Sequence, residues 1–326
     1  MNQKPFAQAT EEVPLFFAVD DAYAPYLGVA LRSVVANASS DRRYRAIVLH
    51  QSLSDLHVAR LSALATDGFV IEFVRMKESF VDLTDRMSNR LRCDYFTLTI
   101  FYRLFIADMF PQYDKAIYLD SDIVVPGDVA ELFDVPLGSN LFGCVEDTSI
   151  LGLDALMAYT RDAVGVGEGQ HYINSGVLLM DLAALRQERF ASRFLTLLNT
   201  YHIDCIAPDQ DYINGMCRDR ITYLDVCWDA MPVVGTPELS HPKIIHYNLF
   251  SKPWLYDGIP YEGYFWQYAE GSAYEWDIVD AKARYSDAQR ASDARCMELL
   301  AERSLRIIND EYTFKKLYDS GREVRL

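Results

Sequence analysis

The chain is short of long apolar runs near its start. The longest, Leu15 to Val19, is far below the roughly 20 residues of a membrane span or the 7–15 of a signal-peptide core. The expected location is therefore the cytoplasm. Cysteine is sparse and scattered: Cys93, Cys144, Cys205, Cys217, Cys227 and Cys296 form no C-x-x-C pair and match no zinc spacing. Reduced thiols are the simplest reading. Positive charge is also scarce, with 31 Lys and Arg against 47 Asp and Glu and a formal net charge of -16. This excludes a general nucleic-acid binder, which needs a basic face. It leaves room for a phosphate-bearing small ligand, because a metal and a few local cations can override the global field. No G-x-G-x-x-G follows the first strand, so the usual dinucleotide phosphate loop is missing. Internal repeats and low-complexity tracts are missing too.

What is present is apolar mass. Half of the 326 residues are hydrophobic, enough for a substantial core in one large domain or two modest ones. After a polar stretch over 1–12, the run Leu15 to Val19 reads as a strand covered on both faces. Tyr23, Leu27, Ala30, Leu31 and Val34 recur at helical spacing. Ala46 to His50 is a second strand, and Ser54 caps a helix carrying Val58, Leu61, Leu64 and Ala65. Phe69 to Met76 is a third strand. This βαβαβ order predicts a parallel sheet, with ligands bound beyond the carboxyl ends of its strands.

Residues 77–98 read as a loop with short helical turns, and Tyr102 to Met109 as a helix. Leu141 to Val145 is a strand, and the four glycines between Gly152 and Gly169 predict a flexible lid or acceptor loop. Tyr172 to Met180 reads as a strand interrupted by Asn174-Ser175-Gly176. A long helix to His202, a short one from Pro208 to Gly215, strands at 221–224 and 243–247, and helix from about 265 complete the pattern.

One stretch organises the rest: Lys115-Ala116-Ile117-Tyr118-Leu119-Asp120-Ser121-Asp122-Ile123-Val124-Val125. Two carboxylates one residue apart at the mouth of an apolar strand are costly without a cation. Alternating residues on a strand point the same way, so both carboxylates can face one cation. A divalent metal suits them, since hard cations prefer carboxylate oxygen. The bland alternative is a solvated strand-end turn. His246 is either a satisfied core histidine or a metal ligand, and nearby Lys252-Pro253-Trp254 suits a metal-bound diphosphate. Asp20 and Asp21 end the first strand and suit a nucleoside or a helix cap. Asp209 is a helix cap or, with Gln210, a site residue. Asn174-Ser175-Gly176 is a bulge or a place where a sugar approaches closely.

In order, Phe17-Ala18-Val19-Asp20-Asp21-Ala22-Tyr23, Tyr102-Arg103-Leu104, Tyr118-Leu119-Asp120-Ser121-Asp122, Tyr172-Ile173-Asn174-Ser175-Gly176-Val177, Asp209-Gln210-Asp211-Tyr212-Ile213-Asn214 and His246-Tyr247 with Lys252-Pro253-Trp254 form a series. Over roughly residues 15–255 it resembles the retaining glycosyltransferases of family eight. That group contains bacterial lipopolysaccharide galactosyl- and glucosyltransferases and glycogenin. The resemblance implies an α/β GT-A fold, with a Rossmann-like, mixed, mainly parallel sheet flanked by helices. It divides the chain into a GT-A domain (1–264) and a helical C-terminal extension (265–326). It implies a UDP-hexose donor, Mn2+ (or Mg2+) and a saccharide or glycolipid acceptor such as lipopolysaccharide. By motif match, Asp120, Asp122 and His246 ligate the metal. Ala18, Asp20 and Tyr23 line the uridine, Arg103 and Asp120 reach the ribose and donor region, and Lys252 holds the diphosphate. Asn174, Asp209 and Gln210 surround the donor sugar, and Asp147 is a looser match facing sugar or acceptor. The chain departs from some relatives at Ala22 (Asn there) and at Leu249 (Gly there).

Two other readings share the same residues. Asp120-Ser121-Asp122-Ile123-Val124 resembles the nucleophile motif of haloacid-dehalogenase-type phosphatases, with Asp120 phosphorylated. A non-catalytic sugar-nucleotide binder is the other. The tail over 281–326 carries ten Lys or Arg against eight Asp or Glu. Leu299, Leu300, Leu305, Ile307, Ile308 and Phe314 would form one face there, for the inner surface of the membrane or as a cap on the core.

Overall fold

The structure, a computed structural model, describes residues 12–76 and 99–326. The loop expected over 77–98 lies outside them. Strand β1 (Glu12–Val19) begins three residues before the apolar run and is buried along nearly its whole length. It pairs in parallel with β2 (Arg43–His50), which pairs in parallel with β3 (Phe69–Arg75). Helix α1 (Ala24–Asn37) buries Leu27, Ala30, Leu31 and Val34 at the predicted spacing, and α2 (Asp55–Ser62) starts at Ser54, whose hydroxyl accepts the His57 N–H. Leu64 and Ala65 fall past its end. Short helices α3 (Thr99–Tyr102) and α4 (Ile106–Met109), joined by a 3-10 turn over Arg103–Phe105, replace the single helix predicted there.

The apolar stretch 115–125 is two strands. β4 (Lys115–Leu119) joins the main sheet beside β1, and β5 (Ile123–Val124) leaves it for a separate two-stranded sheet. The break falls on Asp120-Ser121-Asp122, so their convergence does not come from strand alternation. Helix α5 (Val129–Phe133), capped by Asp128, and strand β6 (Phe142–Cys144) follow.

The glycine-rich span is not an open lid. It holds α6 (Asp154–Tyr159) and a π-helical turn over Thr160–Val164 that ends on Gly165 at φ 87°. Its Leu156, Tyr159 and Val164 are buried with Leu300 and Ile307 of the C-terminal region. The polar triplet 174–176 precedes β7 (Val177–Asp181) and does not interrupt it. The long helix predicted to His202 breaks at Arg189 (φ 54°) into α7 (Leu182–Gln187) and α8 (Phe190–Tyr201). Helix α9 (Pro208–Cys217) and strands β8 (Ile221–Tyr223) and β9 (Ile245–His246) follow.

The main sheet runs β3-β2-β1-β4-β7-β6-β8. The first four strands are mutually parallel, β7 is antiparallel to β4 and β6, and β8 is parallel to β6. The mixed, mainly parallel α/β sheet is as the sequence predicts.

Helices α10 (Glu262–Ala269), α11 (Glu275–Arg284), α12 (Asp287–Ile307) and α13 (Phe314–Asp319) wrap this frame. Tyr274 and Ile278 join the core cluster that holds Phe17, Ile117 and Leu179, and Phe314, Leu317 and Val324 the cluster that holds Phe16, Tyr118 and Leu178, so the two groups lie on opposite faces of the sheet. Leu300, Ile307 and Phe314 are buried, so the six apolar tail residues do not form one exposed face for a membrane. Among the described residues, no helix is long and apolar enough to cross a bilayer.

Candidate functional site

Asp120 stands at the carboxyl end of β4, and its N–H donates to the Gly176 carbonyl at 2.8 Å. Its Oδ1 accepts from the Tyr118 hydroxyl and from Arg103 Nη2, each at 2.8 Å. Tyr118 precedes it by two strand positions, and the Arg103 guanidinium lies over the Tyr118 ring at 4.3 Å. Arg103 is buried; its Nη1 reaches the Ser175 carbonyl (2.6 Å) and Asp209 (3.1 Å). Burial acts against the guanidinium charge, but Asp120 and Asp209 outweigh it and raise the Arg103 pKa. One cation thus ties the β4 end to the start of α9.

Asp122 and His246 meet because β5 and β9 pair antiparallel with Ile123 opposite His246. His246 Nε2 lies 3.3 Å from Asp122 Oδ1 and 3.8 Å from Asp120 Oδ2. One donor atom from each of the three residues lies within 4.8 Å of the others. Lys252 donates to the Asp122 carboxylate and to the Tyr247 carbonyl. Burial pushes Asp122 up, but Lys252 and His246 overcome it and hold the carboxyl well below its usual range. Burial pulls His246 down, yet Asp229 and Asp122 lift it to about 10. Two carboxylates and an imidazole nitrogen converging on one point fit a divalent cation.

Gly176 borders this point. A Cβ there would overlap the His246 ring and sit 2.8 Å from Asp120 Oδ2. The missing side chain lets the His246 ring and the Asp120 carboxylate approach the backbone closely here.

A second polar cluster adjoins the first. Asp147 is fully buried and accepts from Gln210 Nε2 (2.9 Å), Asn174 Nδ2 (3.3 Å) and the Ser149 hydroxyl and N–H. Gln210 Oε1 accepts the Ser175 N–H at 3.1 Å, and the Ser175 hydroxyl donates to Asp209 at 2.8 Å. Asp209 is therefore an ion-pair partner. The N-cap of α9 is Ala207, with no side-chain cap; Asp211, in the first turn, reaches back so that its Oδ2 accepts the N–H groups of Ile206 and Ala207.

The strand-end residues of β1 lie on the other side. The Ala18 carbonyl accepts from the Ser121 hydroxyl at 3.0 Å, which pins the carboxylate turn to β1. Asp20 Oδ1 accepts the Tyr23 N–H at 2.9 Å. Asp21 does not cap α1; its Oδ1 accepts the Ser54 N–H at the start of α2. Tyr23 packs edge-on against Tyr26 at 5.4 Å, Tyr26 stacks on Trp254 at 4.2 Å, and Lys252 lies over Trp254 at 5.5 Å. Tyr26 thus links Tyr23 to the Lys252-Pro253-Trp254 segment. Leu249 adopts φ 53°, the left-handed backbone that a glycine would take there without strain.

The sequence reading gave no role to Tyr118 and Ser175, although both stand in its motifs, and missed Ser149, Asn248 and Asp229. Strand periodicity could have flagged Tyr118. Asn248 reaches Ser149 at 3.0 Å and so links the His246 strand to Asp147. Asp229, fully buried, has its Oδ1 3.1 Å from His246 Nδ1 and belongs to no motif.

Known proteins are similar to the chain in sequence and fold. The model of glycosyl transferase family 8 matches residues 14–258. The lipopolysaccharide glucosyltransferase WaaO of Escherichia coli is 24% identical over 199 residues, which cover 58% of each chain. The bifunctional glycosyltransferase WbbM has a TM-score of 0.70 at 23% identity, covering 86% of this chain and 53% of that one. The galactosyltransferase LgtC, solved with donor and acceptor sugar analogues, has a TM-score of 0.65 at 24% identity, covering 86% of this chain and all of LgtC. The chain thus spans little more than half of WaaO and of WbbM. These structures share its GT-A fold, and with the family model matching most of its length the chain belongs to glycosyl transferase family 8.

Proposed function

We propose that the chain transfers a hexose, galactose or glucose, from a UDP-sugar to a saccharide acceptor with retention of configuration. Asp120, Asp122 and His246 would hold a Mn2+ ion, with Mg2+ as the alternative. The observation that carries this is the convergence of their donor atoms within 4.8 Å, with Lys252 on the adjoining carboxylate. When bound, the ion neutralises charge growing on a departing diphosphate. Lys252 adds a second positive charge there, which favours the transition state over the ground state. Ala18, Asp20 and Tyr23 bind the uridine, and Arg103 orients Asp120 toward the ribose and donor.

Asn174, Asp209 and Gln210 position the donor sugar together with Asp147. Asp209 is held by Arg103 and Ser175, and Gln210 by Asp147 and Ser175. Both are tied into this network, Asp209 through Oδ2, which favours front-face transfer in which the leaving phosphate oxygen assists deprotonation of the acceptor. A glycosyl adduct on either residue in single-turnover mass spectrometry would overturn that route. The phosphatase reading fares worse, since Asp120 Oδ1 is engaged by both Arg103 and Tyr118. The acceptor class is lipopolysaccharide or another surface glycan, in line with the name of WaaO. A UDP-release screen over UDP-sugars, with and without Mn2+, tests the reading. Release should require the metal and a UDP donor; indifference to both sinks it.

A further inference from the structure

Asp229 lies in no sequence motif, yet the fold delivers it to the imidazole of His246. The 3-10 turn Val226–Trp228 ends on Asp229, whose N–H closes it on the Val226 carbonyl at 3.2 Å. The next residue, Ala230, is bracketed by β9: its N–H donates to the Ile244 carbonyl and its carbonyl accepts the His246 N–H, each at 2.9 Å. This register sets Asp229 Oδ1 3.1 Å from His246 Nδ1, with both side chains buried. The second carboxylate oxygen, Oδ2, has no hydrogen-bond partner among the described residues. A carboxylate half unsatisfied in the core is a cost that an apolar residue would avoid. Among the described residues, the one hydrogen-bonding contact of its side chain is with His246.

We infer that Asp229 is a positioning residue that holds the Nδ1–H of His246 and so aims Nε2 at Asp120 and Asp122. A ring nitrogen that donates to a carboxylate keeps its proton, leaving the other nitrogen as the ligand. Without Asp229 the ring is free to present either nitrogen. The negative charge also makes the imidazole a better donor to a cation. The inference rests on the metal-binding reading above, and its contact can also be tested without metal.

The experiment compares wild type, Asp229→Asn and Asp229→Ala, all metal-free at the start. Titration with Mn2+, followed by electron paramagnetic resonance, should show affinity falling about 10–100-fold in Asp229→Ala and less in Asp229→Asn, which keeps an acceptor of the same shape. Near-ultraviolet circular dichroism should remain native in Asp229→Asn, which keeps the test valid if the alanine variant fails to fold. In parallel, the metal-free proteins labelled with 15N-histidine should show a downfield, slowly exchanging Nδ1–H in wild type that is weakened in Asp229→Asn. Equal Mn2+ affinity in folded variants, or no such Nδ1–H in wild type, overturns the inference. Wild type that binds no Mn2+ but shows the Nδ1–H overturns the metal reading and leaves the Asp229 contact standing.

Discussion

Asp122 faces two cations at once, Lys252 on one oxygen and His246 near the other. Asp122→Asn keeps the shape and removes the charge. We expect UDP-sugar turnover to fall by about 10²-fold or more, with an unchanged circular dichroism spectrum. Gly176→Ala has the opposite character: it changes no charge but drives a methyl into the His246 ring. Saturating Mn2+ should raise the melting temperature of wild type, by linkage, and fail to raise that of Gly176→Ala. His50 supplies a pH signature away from the site. It is buried at the end of β2, its Nδ1 accepts the Leu53 N–H, and burial together with Arg75 lowers its pKa below the ordinary 6.5. The unfolded chain therefore takes up the proton first as pH falls. The His50 contribution to stability is intact above about 6.5 and is lost as pH drops toward the folded value. Denaturant unfolding at pH 7.5 and 5.5 should show this loss in wild type, and less of it in His50→Gln.

At the scale of elements, the site is a meeting of ends. β4 brings Asp120, the β5–β9 pair brings Asp122 and His246 together, and α9 brings Asp209 and Gln210. The segment after β9 folds Lys252 back onto Asp122 and stacks Trp254 on Tyr26 of α1. Lys252→Ala should lower kcat by roughly 10²–10³-fold, as loss of one donor to a developing anion does elsewhere. Steady-state kinetics with several UDP-sugars checks this; an effect confined to KM would mean that Lys252 only binds. The six motifs were legible as residues, in order. Their joining was not, because β5 leaves the main sheet at a break that the apolar run Ile117 to Val125 does not announce.

At the scale of the molecule, the C-terminal helices are built into the cores that carry the site. Phe314 is buried edge-on against Tyr212 of α9, at 4.9 Å between centroids, and only a glycine at 215 leaves room for its ring. Phe314→Ala should cost about 3–5 kcal/mol, read as a lower midpoint in urea. Because α9 presents Asp209 and Gln210, activity should be lost at denaturant concentrations where wild type still works. Arg303 and Arg306 of α12 also pair with Asp204, just ahead of α9.

The sequence alone determined the fold class, and its family-like motifs named the candidate site residues. Period-two and period-3.6 burial is written into local residue order, and charged residues set in apolar runs stand out without coordinates. Only the tertiary structure decided how those residues meet. Asp229, Ser175 and Asn248 hold the motif residues through contacts between segments that are distant in the chain or belong to no shared pattern. The glycine-rich span looked open because glycine signals freedom locally, yet Leu156, Tyr159 and Val164 find their partners some 140 residues away on α12. Burial against a distant helix is a property of the folded chain, and no local periodicity encodes it.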